Sequence, residues 1–179
     1  MHKYWKLRTL FALLILIGIM VFSIGCQKQT SPDVVVTNFC THLQKLEFDQ
    51  TTKYVYGSSP RDNSPFEDEL IRSGFANMTF KVGETKFISK DAATVSVAVS
   101  APNIGEALDL AMYSLYASRM YLPPDPESLL RAKTYEIINQ NQSPIIQTTT
   151  VFTLKKDKRQ WYIVNNDEFN IFALRIFGY

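Results

Sequence analysis

Few side chains in this sequence could do chemistry, and they are scattered. Past His2 there is one histidine, His42. At about 100° per residue it falls roughly 60° from the centre of an apolar helical stripe. A solvated flank or the rim of a pocket would both suit it there. The cysteines are Cys26 and Cys40. A thiol becomes a nucleophile when a base or cation lowers its pKa. No such base stands out for Cys40, which reads as a small buried apolar residue. Asp49 and Asp109 read as cap or surface residues. No carboxylate pair recurs at helical spacing on an apolar face, as general acid–base work would favour. No His/Cys/Asp cluster has metal-ligand spacing, and no glycine-rich loop would cradle a phosphate. Catalysis, a metal and a cofactor are therefore not expected. Aromatic residues speak louder. Tyr113, Tyr116 and Tyr121 crowd one stretch with Met112 and Met120. Tyr and Met suit a surface that must offer adaptable apolar area to a partner, so Tyr113, Met120 and Tyr121 are candidates for such a surface. Two other readings stand beside it: packing inside the fold, or a lid over a pocket. Phe80, Phe87 and Trp161, with His42 and Tyr54, are the candidates to line that pocket around a small apolar ligand or peptide.

The amino terminus says where these residues work. Lys3, Lys6 and Arg8 precede an apolar run over residues 10–22, and Ser23-Ile24-Gly25-Cys26 follows. This is the order of a secretory signal peptide. It resembles a bacterial lipoprotein signal, in which the cysteine after the cleavage site receives lipid. Gly25 fits that pattern, and Ser23 departs from the aliphatic residue preferred there. The alternative is an uncleaved anchor, although the run is short of the roughly 20 residues of a full span. Both readings place the domain outside the cytoplasm and hold it at the membrane. With Cys26 lipidated, Cys40 has no disulfide partner; a Cys26–Cys40 bridge requires an unlipidated Cys26. Residues 1–25 are thus expected to be the signal, 26–30 a short tether and 31–179 one domain. The whole chain carries a net charge of +2, but without the three basic residues of the leader 16 basic side chains face 17 acidic ones. No dense basic run remains, so nucleic acid is not an expected partner.

The elements that must position these residues follow in order. Ser31-Pro32-Asp33 opens a helix, as N-cap, first-turn proline and dipole-matched carboxylate. Its apolar face is Val35, Val36, Phe39, Leu43 and Leu46. A second short helix begins near Phe48, with Tyr54 and Val55 inward. Residues 56–65 read as loop, and Ser64 with Glu67 as a capping box for a helix through Phe75. Residues 78–89 read as a strand with a bulge at Gly83. In residues 93–101 Val95, Val97 and Val99 alternate with small polar side chains, the mark of a half-buried strand. Helices are expected over 106–122 and 126–140, forming an insertion over about 105–141. The first is apolar all round, which normally means burial on more than one side. A hairpin follows, with strands 145–154 and 160–164 and the charged tip 155–159. Phe169, Phe172, Ala173 and Ile176 suggest a terminal helix.

Helices first, then an antiparallel sheet packed on them, is an α+β layout. Ser31-Pro32 with its amphipathic helix, Leu46-Glu47-Phe48-Asp49, Tyr54-Val55, and a strand pair ending in Lys-Lys-Asp and Gln160-Trp161-Tyr162-Ile163 resemble the nuclear-transport-factor-two-like superfamily. More narrowly, Val99-Ser100-Ala101-Pro102-Asn103 before a helical insertion, and Asn165-Asn166-Asp167-Glu168-Phe169 after a Trp-bearing strand, resemble Gram-positive lipoproteins of that fold. The resemblance implies a cone, a curved antiparallel sheet around helices, and a superfamily holding enzymes, ligand binders and interaction modules alike. The expected function is a membrane-anchored module that binds an envelope protein, without catalysis. The alternative is a binder of a small apolar ligand or peptide in the cone.

Overall fold

The stripe of Val35, Val36, Phe39 and Leu43 forms the expected helix, α1 (Pro32–Gln44), with Pro32 in its first turn and all four residues buried. Ser31 occupies the N-cap position, but its hydroxyl makes no capping bond. The computed structural model describes residues 30–57, 68–117 and 125–166. The chain divides into Met1–Thr30 and Ser31–Tyr179; the second unit is described below. The expected signal, Ser64 and Glu67, Met120, Tyr121 and the terminal helix lie outside the described residues.

α1 ends in a Schellman motif. Glu47 N–H bonds to His42 O at 2.9 Å and Leu46 N–H to Leu43 O at 3.0 Å, with Leu46 at φ 60°. A short helix α2 (Phe48–Thr51) and a 3₁₀ turn (Thr52–Tyr54) lead into a two-residue strand, β1 (Val55–Tyr56). Helix α3 spans Glu69–Ala76, and its cap is Asp68, whose carboxylate accepts from Leu70 and Ile71 N–H. The start of this helix therefore lies past the expected capping box.

Strands β2 (Thr79–Ser89) and β3 (Ala92–Pro102) form a hairpin whose register slips between Val82 and Thr85, beside Gly83. Helix α4 (Ile104–Ala117) begins two residues earlier than its pattern implies, because Asn103 Oδ1 accepts from Glu106 N–H and caps it. Helix α5 (Pro126–Asn139) is capped by Asp125. β4 (Ile145–Asp157) and β5 (Gln160–Val164) close the described chain. Lys155, Lys156 and Asp157, read as hairpin tip from their charge, continue the ladder opposite Tyr162, Trp161 and Gln160. Only Lys158-Arg159 turn.

The sheet order is β1-β5-β4-β3-β2. It is mixed rather than antiparallel, since β1 runs parallel to β5, with Val55 opposite Ile163. Its remaining neighbours are antiparallel. One face meets the helices. Ala93, Val95, Val97, Val99 and Ala101 of β3 are buried there, with Phe152, Leu154, Trp161 and Ile163. Phe39 of α1 meets Phe152 edge-on at 5.8 Å. Each such Val, Leu or Phe contributes about 1.5–3 kcal/mol by leaving water. The other face carries small and polar residues, among them Ala98, Gln147 and Thr149, and is exposed.

Candidate functional site

Helix α4 separates its two sides sharply. Ile104, Ala107 and Ala111 are fully buried against the domain. Leu110 is 42%, Met112 39%, Tyr113 76% and Tyr116 70% exposed. At about 100° per residue, Asp109, Tyr113 and Tyr116 lie within one 60° sector opposite the buried side, with Glu106 next to them. The expectation that a helix apolar all round is buried on more than one side fails here. α4 packs on α5, and its tyrosines stand in water. A carboxylate four residues before Tyr113 gives the patch an acidic, aromatic character. Of the surface expected from sequence, Tyr113 is in place, while Met120 and Tyr121 lie outside the described residues.

The five residues proposed to line a pocket do not come together as one. They fall into separate groups. His42 Nδ1 lies 2.6 Å from Glu47 Oε2, and its Nε2 lies 3.4 Å from the Tyr54 hydroxyl. The carboxylate only accepts, so Nδ1 donates to it and Nε2 is turned to the Tyr54 hydroxyl. The His42 and Tyr54 rings also stack, 5.6 Å apart and 25° from parallel. The Schellman turn at Leu46 brings Glu47 back over His42, which spacing along a helix would not reveal. This trio is half-exposed and ties α1 to the turn before β1. Phe87 and Trp161 form the second group, edge-on at 6.1 Å, with Trp161 buried and Phe87 open to water. Phe80 stands apart, beside an open groove of about 460 Å³ whose walls include Thr79, Lys81, Ser100, Gln147 and Thr149.

A second open groove, about 480 Å³, runs between α3 and α5 past Glu69, Asp125, Glu127, Arg131 and Tyr135. At its edge Arg131 Nη2 donates to Asp68 Oδ2 at 2.7 Å. Partial burial pushes the Asp68 carboxyl upward. The Arg131 guanidinium and the Leu70 and Ile71 N–H groups outweigh it and hold the pKa below the usual carboxylate range. Cys40 is buried, and burial alone pushes its thiol up to about 12. Such a thiol is neutral and unreactive. Among the described residues no group of three His, Cys, Asp or Glu could hold a metal ion, and no helix is long and apolar enough to cross a membrane.

These features define an α+β domain with helices on one face of a mixed five-stranded sheet and an aromatic helix turned to solvent. No protein-family model and no curated protein matches the chain. Among solved structures it is similar to the crystal structure of ycdA, a candidate lipoprotein of Bacillus subtilis. The two share 14% identity at a TM-score of 0.43, over 83% of this chain and 50% of that one. The chain thus spans half the length of that protein. A likeness this distant leaves fold and function to be argued from this chain's own residues.

Proposed function

We propose that the protein is a lipid-anchored extracytoplasmic domain of the nuclear-transport-factor-two-like kind that binds an envelope protein through α4, without catalysis. The observation that carries this reading is the solvent-facing aromatic patch of Tyr113, Tyr116, Leu110 and Met112 on a helix whose other side is buried. Large Tyr and Met side chains left in water cost little stability and offer binding energy when covered. The leader, ending at Gly25-Cys26, supports the anchor. A ligand-binding role is the alternative, and of the five expected residues only Phe80 borders the groove it would use.

The test is site-specific photocrosslinking in cells, with the reactive residue at Tyr113 and, as a control, at Lys133 of α5. A discrete protein adduct from position 113, absent from 133 and lost in Tyr116→Ser, is expected. No adduct at 113, together with a small molecule that copurifies and leaves on denaturation, would replace this reading with the ligand one.

A further inference from the structure

Two hairpin tips stand side by side at one end of the sheet. β3 and β4 are neighbours, Ala92 lies opposite Lys155, and Lys156 N–H bonds to Asp91 O at 2.8 Å. The β2–β3 tip therefore adjoins the β4–β5 tip, although some 65 residues separate them in sequence. Together residues 86–91 and 155–160 hold six basic side chains, Lys86, Lys90, Lys155, Lys156, Lys158 and Arg159. They hold two acidic ones, Asp91 and Asp157. This end carries a net of +4, so the rest of residues 27–179 carries −5. Lys86 is paired with Glu84 at 3.4 Å and Lys90 with Asp91 at 3.9 Å, both in the open where such pairs count for little.

The same end exposes apolar side chains. Phe87 is 65% and Ile88 68% exposed. Lys155 Nζ sits 3.0 Å from the centre of the Tyr56 ring, and Lys156 Nζ lies 5.7 Å from that of Trp161. Lys158 holds φ 56°, a left-handed conformation in which Gly or Asn would rest more easily.

Helix α1 shows where the chain enters. Gln44, at its end, donates to Met78 O at 2.8 Å, next to Thr79 and its partner Ser100, far from the tips. Phe39, earlier in the helix, meets Phe152, whose partner Val95 is nearer the tips. The helix therefore starts toward the tip end. Residues 26–30 span at most about 18 Å when extended.

From this juxtaposition we infer that the paired hairpin tips dock on an anionic lipid bilayer, with Phe87 and Ile88 entering the interface and the exposed Lys86, Lys90, Lys158 and Arg159 meeting lipid phosphates. Exposed apolar side chains ringed by Lys and Arg suit a negatively charged membrane surface, where each nearby cation adds attraction and long basic stems lie along the interface. α4 begins at the opposite end of β3, whose 11 residues cover about 36 Å. Docking by the tips would turn the acidic tyrosine patch away from the bilayer. The inference rests on the anchored reading for its tether but not on the partner of α4.

The experiment uses the full lipidated chain in vesicles, with Ile88→Cys carrying an environment-sensitive fluorophore; buried Cys40 stays unlabelled. In vesicles of equimolar phosphatidylglycerol and phosphatidylcholine the label should shift to the blue and be quenched by spin-labelled lipid. In phosphatidylcholine alone, or in high salt, it should remain in water. The K90E/K158E/R159E variant should lose the shift, with unchanged Trp161 emission showing that it folds. A label at Tyr113→Cys should stay in water throughout. A chain that floats with the vesicles while its Ile88→Cys label stays in water would sink the inference and leave the anchor standing. A chain that does not float removes the anchor and this inference with it. Equal burial in neutral vesicles, or retention by the triple variant, would overturn the electrostatic docking. Shielding seen only with a soluble polyanion would make the tips a polymer site instead.

Discussion

Burial removes the Cys40 thiol from water and nothing nearby compensates its thiolate, which is why its pKa rises to about 12. A group whose folded pKa lies above its unfolded one stabilises the fold fully below the unfolded value. That contribution is lost as pH rises toward the folded value. The native state should therefore weaken by roughly 1.4 kcal/mol per pH unit above about pH 9, relative to Cys40→Ala. Denaturant melts of the two chains between pH 8 and 10.5 check this, and alkylating reagents at pH 8 should reach Cys40 only after unfolding. Asp68 behaves in the opposite sense. Its lowered pKa gives stability that is present above the usual carboxylate range and lost as pH falls below it. Asp68→Ala should cost about 1–2 kcal/mol by removing both a helix cap and a partner of Arg131. Asp68→Asn should keep the cap and flatten the acid limb of the stability profile. His42 shows the limit of reading single residues. Its place on the flank of α1 was legible from periodicity. Its partner Glu47 was not, because a left-handed Leu46 sets their approach.

Elements with a strong period were legible from sequence: α1, the β3 alternation, the bulge beside Gly83 and the Trp-bearing strand. Those governed by a single local bond were not. Pro102 reads as a stop, yet it ends β3 while Asn103 caps α4 at once. β1 has two residues and hence no period, and its partner lies more than a hundred residues away. Charge misled at the β4–β5 tip, since a strand with one side in water carries Lys155 and Asp157 without cost. The aromatic stretch gave α4 its helix but not its orientation, because apolar residues on both sides look alike until one side is covered. That asymmetry is measurable. Tyr113→Ala and Tyr116→Ala should each change stability by less than about 0.5 kcal/mol. Ile104→Ala, at the buried root of the same helix, should cost about 2–5 kcal/mol. Thermal or urea melts of the three variants separate a surface from a core, and a large loss at Tyr113 would refute its exposure.

On the scale of the whole molecule, the sheet gathers basic and exposed apolar side chains of two hairpin tips at one of its ends. Composition hides this, because the net charge past residue 26 is close to zero. Only the adjacency of β3 and β4 gathers the basic residues of two distant tips into one patch. The same sheet carries a second long-range closure, the pairing of Val55 with Ile163. β1 cannot take its place until β5 exists, and β5 comes after nearly all of the described chain. Closing so long a loop is entropically slow, and late contacts of this kind delay the completion of a fold. On the proposed reading, in which the leader directs export, that order would have a use. Until β5 has been made, the sheet lacks the strand beside which β1 lies. The chain would then remain loose enough to thread a narrow channel, and it would lock only after β5 had followed it across.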